Sequence, residues 1–288
     1  MVQEAIRKAD VLIEALPYIK EFHKKTVVIK YGGSILSDEK IRKGILEDIV
    51  FLSFMGLRPV LVHGGGPNIN ERVRNSGKKA EFVDGMRVTD KETLQLVEEE
   101  LFKINQTIVE EINELGAKGI GLNGKDKGII LAEKKKAKVN LGFVGHIVGI
   151  NSEPIRSQLR EDSIVVLLPM ASGKGSDKKV YNVNADEAAS GISADLKAEK
   201  LVLLTNVKGI MRNPEDPHSF LSTLNTGDAE ELIEDNIIQQ GMIPKVRACI
   251  EALGKGVRKT HIIDARIPHS LLLEIFTDQG IGTEIIQG

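Results

Sequence analysis

Twice near its start the chain passes from a short apolar run through a cluster of glycines into an amphipathic segment. Thr26-Val-Val-Ile-Lys30 leads into Gly32-Gly33-Ser34, and a helix is expected from about Asp38 to Met55. Arg58-Pro-Val-Leu-Val62 leads into His63-Gly64-Gly65-Gly66, with a helix opening after Pro67, whose fixed φ suits a first helical turn. Runs that are apolar at successive positions, rather than alternating, belong to strands covered on both faces. Neighbouring parallel strands need a crossover, and here the helices supply it. A strand, glycine loop and helix used twice over constrain the fold to α/β, a parallel sheet with helices on its faces.

The rest of the chain extends that pattern. Residues 3–23 read as one amphipathic helix, broken or kinked near Pro17. Phe82–Thr89 reads as a strand or hairpin, and Asp90 to about Leu115 as a long helix capped by Thr89 or Asp90. Gly119–Ile150 reads as hairpins at the sheet edge, and Ala171–Lys179 as a polar, flexible loop. Helices are expected at about Glu153–Arg160, Ala185–Lys197, Asp228–Ile238 and Pro244–Ala252. Ile164–Leu168, Leu201–Leu204 and His261–Asp264 read as strands, and Gly282–Ile286 closes the chain.

Composition removes several classes. At ~150 residues per domain, 288 residues suggest one or two domains. With 41% apolar and 28% charged residues, the chain is neither a disordered tail, a collagen-like repeat nor a disulfide scaffold. No apolar run approaches the ~18 residues of a membrane span, so no membrane association is expected. The start MVQEAIRKAD shows no apolar signal-peptide core, and one Cys cannot form an internal bridge; both suit a cytoplasmic location. A net charge of −2 with eight Phe, three Tyr and no Trp speaks against nucleic acid as a partner.

Three tempting motifs fail on context. Gly119-Ile-Gly121-Leu-Asn-Gly124 matches a dinucleotide fingerprint, but no helix opens after it. Gly173-Lys-Gly-Ser176 lacks the spacing of a Walker A loop. His63-Gly64-Gly65-Gly66 looks like an oxyanion-hole loop, yet the chain has no G-x-S-x-G nucleophile elbow. No Cys/His cluster has metal-ligand spacing.

What remains is a set of glycine loops and isolated polar residues at the carboxyl ends of strands, where open α/β sheets bind ligands. Lys30 closes an apolar strand, either as a plain exit into solvent or to meet an anion. Gly32, Gly33, Gly64, Gly65 and Gly66 leave backbone N–H groups bare near helix starts, an arrangement suited to phosphate or oxyanions. Asn182-Val-Asn184-Ala-Asp186 sets three short polar side chains at a helix start, where capping needs only one. Lys245 stands near another helix start, opposing the dipole, which favours anion binding over a structural role. Together these features suggest two anionic ligands, one held by each half.

Val28-Ile-Lys30-Tyr-Gly-Gly33, Val62-His-Gly-Gly-Gly-Pro67, Gly85-Met-Arg87-Val-Thr89, Asn182-Val-Asn-Ala-Asp186 and Gly241-Met-Ile-Pro-Lys-Val246 occur in order over nearly the whole chain. This set resembles the acetylglutamate kinases of the amino acid kinase superfamily. Asn-Val-Asn-Ala-Asp with Gly-Met-Ile-Pro-Lys separates them from aspartate and uridylate kinases. The resemblance implies a three-layer αβα sandwich with an open, mainly parallel central sheet in two lobes. Residues 25–195 would bind the amino acid and dimerise, 196–288 would bind ATP and carry an effector region, and 1–24 would form an oligomerisation helix. The implied reaction is ATP-dependent phosphorylation of the γ-carboxylate of N-acetyl-L-glutamate, the second step of arginine biosynthesis, with Mg2+ held through the ATP phosphates. Lys30 and Lys245 would neutralise the transferring phosphoryl group, with Asp186 holding both. Gly65, Gly66, Arg87 and Asn182 would hold the acetylated amino acid. Gly32, Gly33, Thr205, Asn206, Gly209 and Met211 would serve ATP.

Asn206 departs from the Asp more usual in the family, and the acidic loop 213–219 looks long. The helix 3–23, together with Leu271-Leu-Leu-Glu274 and Gly280-Ile-Gly-Thr283, resembles the arginine-inhibited members. That implies a hexamer inhibited by L-arginine at Tyr18, His261, Glu274 and Gly280. It leaves open whether a PII-type signalling protein docks. The rival readings are a kinase for acetyl-aminoadipate or another acidic amino acid, a non-catalytic arginine sensor and, more distantly, a dehydrogenase. Joint retention of Lys30, Asp186 and Lys245 speaks against the sensor.

Overall fold

The computed structural model describes residues 2–32, 35–83, 85–213, 215–277 and 280–288. Elements are numbered in chain order. Eight strands form the central sheet, which runs β14 (Thr223–Asn225), β16 (Thr283–Ile286), β15 (Lys259–Asp264), β11 (Lys200–Thr205), β1 (Thr26–Tyr31), β2 (Arg58–His63), β8 (Ile164–Leu168) and β5 (Gly119–Asn123). Every adjacent pair is parallel except β15 with β16. From β1 the chain steps to β2 on one side and later to β11 on the other. That reversal opens a crevice beyond the carboxyl end of β1, the place where open α/β sheets bind ligands.

Alternation along the buried strands assigns each residue to one face. Val28, Val60, Val62, Leu201 and Leu203 pack into one core, Val27, Ile29, Leu61, Val202 and Leu204 into the other. The first face is covered by α6 (Glu153–Leu159), α7 (Ala185–Leu196), α8 (Thr226–Glu234) and α9 (Ile243–Gly254). The second is covered by α3 (Glu39–Phe54), α5 (Lys91–Glu114) and α10 (Ser270–Phe276). This is the expected three-layer sandwich. Asp38 and Asp90 cap α3 and α5 by accepting from Ile41 N and Thr93 N, which decides the α5 cap for Asp90.

Residues 3–23 form two helices, α1 (Val2–Glu14) and α2 (Leu16–Phe22), with the break expected near Pro17, which has no N–H to continue the ladder. Other segments differ from the sequence reading. Gly119–Asn123 is not a hairpin but β5, a parallel edge strand of the central sheet. The remainder of 119–150 contributes β6 (Ile130–Lys134) and β7 (Gly145–Ile150) to a second, four-stranded sheet. Ala171–Lys179 is not wholly a loop, since β9 (Met170–Gly173) completes that sheet with β10 (Val180–Asn182). A hairpin, β3 (Phe82–Val83) with β4 (Met86–Arg87), follows α4 (Gly66–Asn75), and another, β12 (Ile210–Met211) with β13 (Phe220–Leu221), spans the acidic loop. Helix α10 and strand β14 add to the elements expected from the sequence.

Candidate active site

Lys30 shares the sheet face of Val28 and so meets α7 and α9. Its Nζ lies 3.0 Å from Asp186 Oδ1, and Lys245 Nζ lies 3.2 Å from Asp186 Oδ2. Lys30 and Asp186 are 7% and 5% exposed, so the plain-exit reading of Lys30 falls. Burial pushes the Asp186 carboxyl up, but the two ammoniums outweigh it and hold it below its ordinary value. Burial draws the Lys30 ammonium down, with Asp186 opposing and Lys245 adding to the shift. Two ammoniums against one carboxylate leave a positive charge uncompensated in a nearly dry site. An anion there gains more than it would in water.

The three polar residues at the start of α7 divide their work. Asn184 is the cap, its side-chain oxygen accepting from Asp186 N and Glu187 N at 2.8 and 3.2 Å. That cap sets the helix start that presents Asp186 to the lysines. Asn182 looks the other way, its Nδ2 donating to Thr89 Oγ1 at 3.4 Å.

The glycine loops meet at this point. A Cβ on Gly32 would run into Lys30 Nζ, so glycine here leaves the ammonium its place. Gly64 lies against Gly32 Cα and Ala185. Gly65 has a packing reason to be glycine, because a Cβ would sit 2.9 Å from Ile104 Cδ1 and 3.1 Å from Leu101 Cδ2 of α5. Gly66 faces open space, with nothing within 4 Å of where a Cβ would stand, and opens α4 with its N–H groups unspent. Gly33 lies outside the described residues.

Arg87 sits on the β3–β4 hairpin, 8% exposed, with its guanidinium 4.7 Å from the Phe82 ring centroid. Its Nη2 donates to Asn70 Oδ1 and Gly66 O. Its Nη1 is buried without a hydrogen-bond partner among the described residues. Burial lowers its pKa, and among the described residues no carboxylate opposes that shift. A buried guanidinium with an idle donor and no counter-ion among the described residues is matched to a carboxylate brought from outside. Asn70, one turn into α4, escaped the sequence reading, which had no local signal for a contact across to the hairpin.

Residues 25–264 match the Amino acid kinase family. The chain belongs to that family. An acetylglutamate kinase of Syntrophomonas wolfei is 46% identical over 287 residues, 99% of each chain. One of Caldanaerobacter subterraneus is 50% identical over 283 residues, 98% of this chain and 94% of that one. Relatives this near place the kinase among the acetylglutamate kinases. An N-acetylglutamate synthase from Neisseria gonorrhoeae, solved with coenzyme A and N-acetyl-glutamate, superposes with a TM-score of 0.86 at 26% identity over 97% of the kinase. The kinase spans 63% of that protein's length. The same synthase, solved with coenzyme A and L-arginine, superposes over 97% of the kinase with a TM-score of 0.81 at 26% identity, and the kinase covers 65% of that chain.

In the kinase, Thr205 ends β11 beside β1, and its hydroxyl exchanges hydrogen bonds of 2.9 Å with Val207 N and O, shaping the turn that carries the exposed Asn206. Gly209 has φ +139° and packs on Thr283, so its glycine is a requirement of the backbone. Met211 lies on β12. Among the described residues no three His, Cys, Asp or Glu side chains form a metal cage, and no helix is long and apolar enough to cross a membrane.

A second polar cluster lies on the opposite sheet face. His261 Nδ1 is 2.7 Å from Glu274 Oε1, both buried, and Glu274 Oε2 accepts from Ile281 N at 3.1 Å. Gly280, at φ +54°, would press a Cβ to 3.2 Å from Glu274 Oε2. Tyr18 reaches the same helix through an edge-on contact with Phe276, ring centroids 6.4 Å apart. Burial pushes Glu274 up, but His261, the Ile281 N–H and Lys200 bring it below its ordinary value. The structure thus gathers His261, Glu274 and Gly280, with Tyr18 joined through α10.

Proposed function

We propose that this kinase transfers the γ-phosphoryl group of ATP to the γ-carboxylate of N-acetyl-L-glutamate. The observation that carries the reading is the buried carboxylate of Asp186 with a lysine on each oxygen. The nucleophile is a carboxylate, ionised at neutral pH, so no general base is needed. Its oxygen bonds to the γ-phosphorus as the bond to the β,γ-bridging oxygen breaks; the electron pair stays with ADP and the product is an acyl phosphate. The obstacle is repulsion between two anions, which positioning and fixed cations relieve. Lys30 and Lys245 supply the cations, Asp186 fixes their spacing, and Gly66 and its neighbours offer N–H donors. Arg87 pairs with the α-carboxylate, with Asn182 beside it. Thr205, Asn206, Gly209 and Met211 line the nucleotide segment. Mg2+ would ride on the ATP phosphates and add charge neutralisation there, since the Asp186 oxygens face lysines and no three His, Cys, Asp or Glu side chains among the described residues form a cage for it.

In this reading residues 25–195 form the amino-acid lobe and 196–288 the nucleotide lobe. Residues 1–24 link dimers into a hexamer: Ile6, Leu12 and Ile13 of α1 are 53%, 66% and 67% exposed, an apolar face left for another subunit. L-Arginine, bound by the synthase in one of its structures, would act here at the Glu274 cluster as end-product inhibitor, in a cytoplasmic enzyme. The test is an ATP-dependent hydroxamate assay offering N-acetylglutamate, glutamate, aspartate and acetyl-aminoadipate. Turnover of N-acetylglutamate above the other three is the expected result; preference for any other acceptor overturns the substrate assignment.

A further inference from the structure

The chemistry above leaves a buried imidazole unused. His63 ends β2 where the glycine loop begins, and it is fully buried. Its Nδ1 lies 3.1 Å from Gly64 O, and its Nε2 lies 3.2 Å from Asn105 Nδ2 on α5. The same Asn105 nitrogen donates to Val166 O at 3.0 Å. That bond fixes the amide orientation, because a flipped amide would set its oxygen against another oxygen. With a donor nitrogen on Nε2, Nε2 must accept. The proton of the neutral ring is then on Nδ1 and is donated to Gly64 O. A Cβ at Gly121 would strike Asn105 Oδ1, so a glycine on β5 keeps the amide in place. Burial pushes the imidazole down to about 4, which keeps the ring neutral in ordinary conditions.

Gly64 is held at both ends, for its own N–H donates to Tyr31 O at 2.8 Å. His63 shares the sheet face of Leu61, toward α5, so Gly64 O is drawn to that side. A trans peptide points its C=O and the following N–H in opposite directions. The Gly65 N–H is thereby turned to the other face, where Lys30, Asp186 and Lys245 lie.

We infer that His63 and Asn105 are positioning residues for phosphoryl transfer: the relay Asn105 to His63 to Gly64 O aims the Gly65 N–H at the transferring group. The inference rests on Lys30 and Lys245 marking the transfer centre. Its geometry is read first, by long-range proton–nitrogen correlation spectra of the full chain carrying 15N-histidine. His63 is expected as the Nδ1–H tautomer, unchanged between about pH 7.5 and about pH 5.5. An Nε2–H tautomer, or a ring that titrates within that range, overturns the relay. Its function is read by kinetics. His63→Asn keeps a donor where Nδ1 stood, whereas His63→Leu removes it. His63→Leu is expected to lose about tenfold or more in kcat with KM for the acceptor nearly unchanged, and His63→Asn to recover most of that loss. Asn105→Asp, which presents an acceptor to Nε2, should move the proton to Nε2 and lower kcat alike. Equal losses in both His63 variants, a loss confined to KM, or an active Asn105→Asp enzyme with the proton moved would overturn the inference. Failure of the transfer-centre reading itself would show separately, as full activity in the lysine variants, with the His63 spectrum unaffected.

Discussion

Lys30 and Asp186 form an ion pair 3.0 Å across, bridging β1 and α7 in a site nearly closed to water. Neither charge would be tolerated there alone, since an isolated buried ion is strongly penalised. The pair tolerates burial because α7 is capped at Asn184 and Gly32 leaves the ammonium room.

Lys30→Ala and Lys245→Ala are each expected to lower kcat about 10²-fold or more, the usual cost of losing one preorganised donor to developing charge. Each leaves Asp186 one lysine partner, so far-ultraviolet circular dichroism should stay that of the parent. Steady-state assays decide it, and a variant with near-parent turnover would remove that lysine from the mechanism.

Arg87→Lys should raise KM for the acetylated amino acid more than it lowers kcat. The planar fork that can pair a carboxylate through two N–H groups becomes a point charge on a part of the substrate that does not react. An unchanged KM would make Arg87 a structural residue held by Asn70 and Phe82.

Acid should weaken the fold through His63. Its folded value is about 4, below the ordinary 6.5, so between those values the unfolded chain takes up a proton that the folded chain refuses. Its stabilising contribution is whole above about pH 6.5 and is lost as pH falls toward about 4, by roughly 3 kcal/mol in all. Urea unfolding at several pH values, compared between the parent and His63→Asn, reads this difference; parallel pH profiles would contradict it.

Glu274→Ala should relieve arginine inhibition and leave turnover intact, since Glu274 lies on the sheet face opposite Lys30. Removing residues 1–24 should give active dimers with weakened response to arginine. Light scattering with an arginine titration checks both: a dimeric full-length chain, or a hexamer indifferent to millimolar arginine, refutes the effector reading.

Much of this was legible along the chain. Strands β1, β2, β8, β11 and β15 announced themselves as apolar runs, because that signal acts within one strand, while the caps were narrowed to Thr89 or Asp90 and to one of Asn182, Asn184 and Asp186, and the structure chose Asp90 and Asn184. The ordered motifs identified the family and named Lys30, Asp186, Lys245, Arg87 and Asn182. Short or atypical elements were less visible: β9 and β14 are too brief to carry a period, and β5 is interrupted by Gly119 and Gly121, the second of which makes room for Asn105.

By itself the sequence determined the α/β class, most of the helix starts and the residue types of the site. Only the tertiary structure decided which of them meet: Lys245 reaches Asp186 across 59 residues, Arg87 finds Asn70, and His63 is locked into one tautomer by an amide 42 residues away. It also separated two kinds of glycine, Gly65 held by side chains of α5 and Gly66 open to space. The physical reason is range. Periodicity and capping are local, whereas desolvation and charge pairing depend on what the fold brings within a few ångströms, and the sequence does not state that distance.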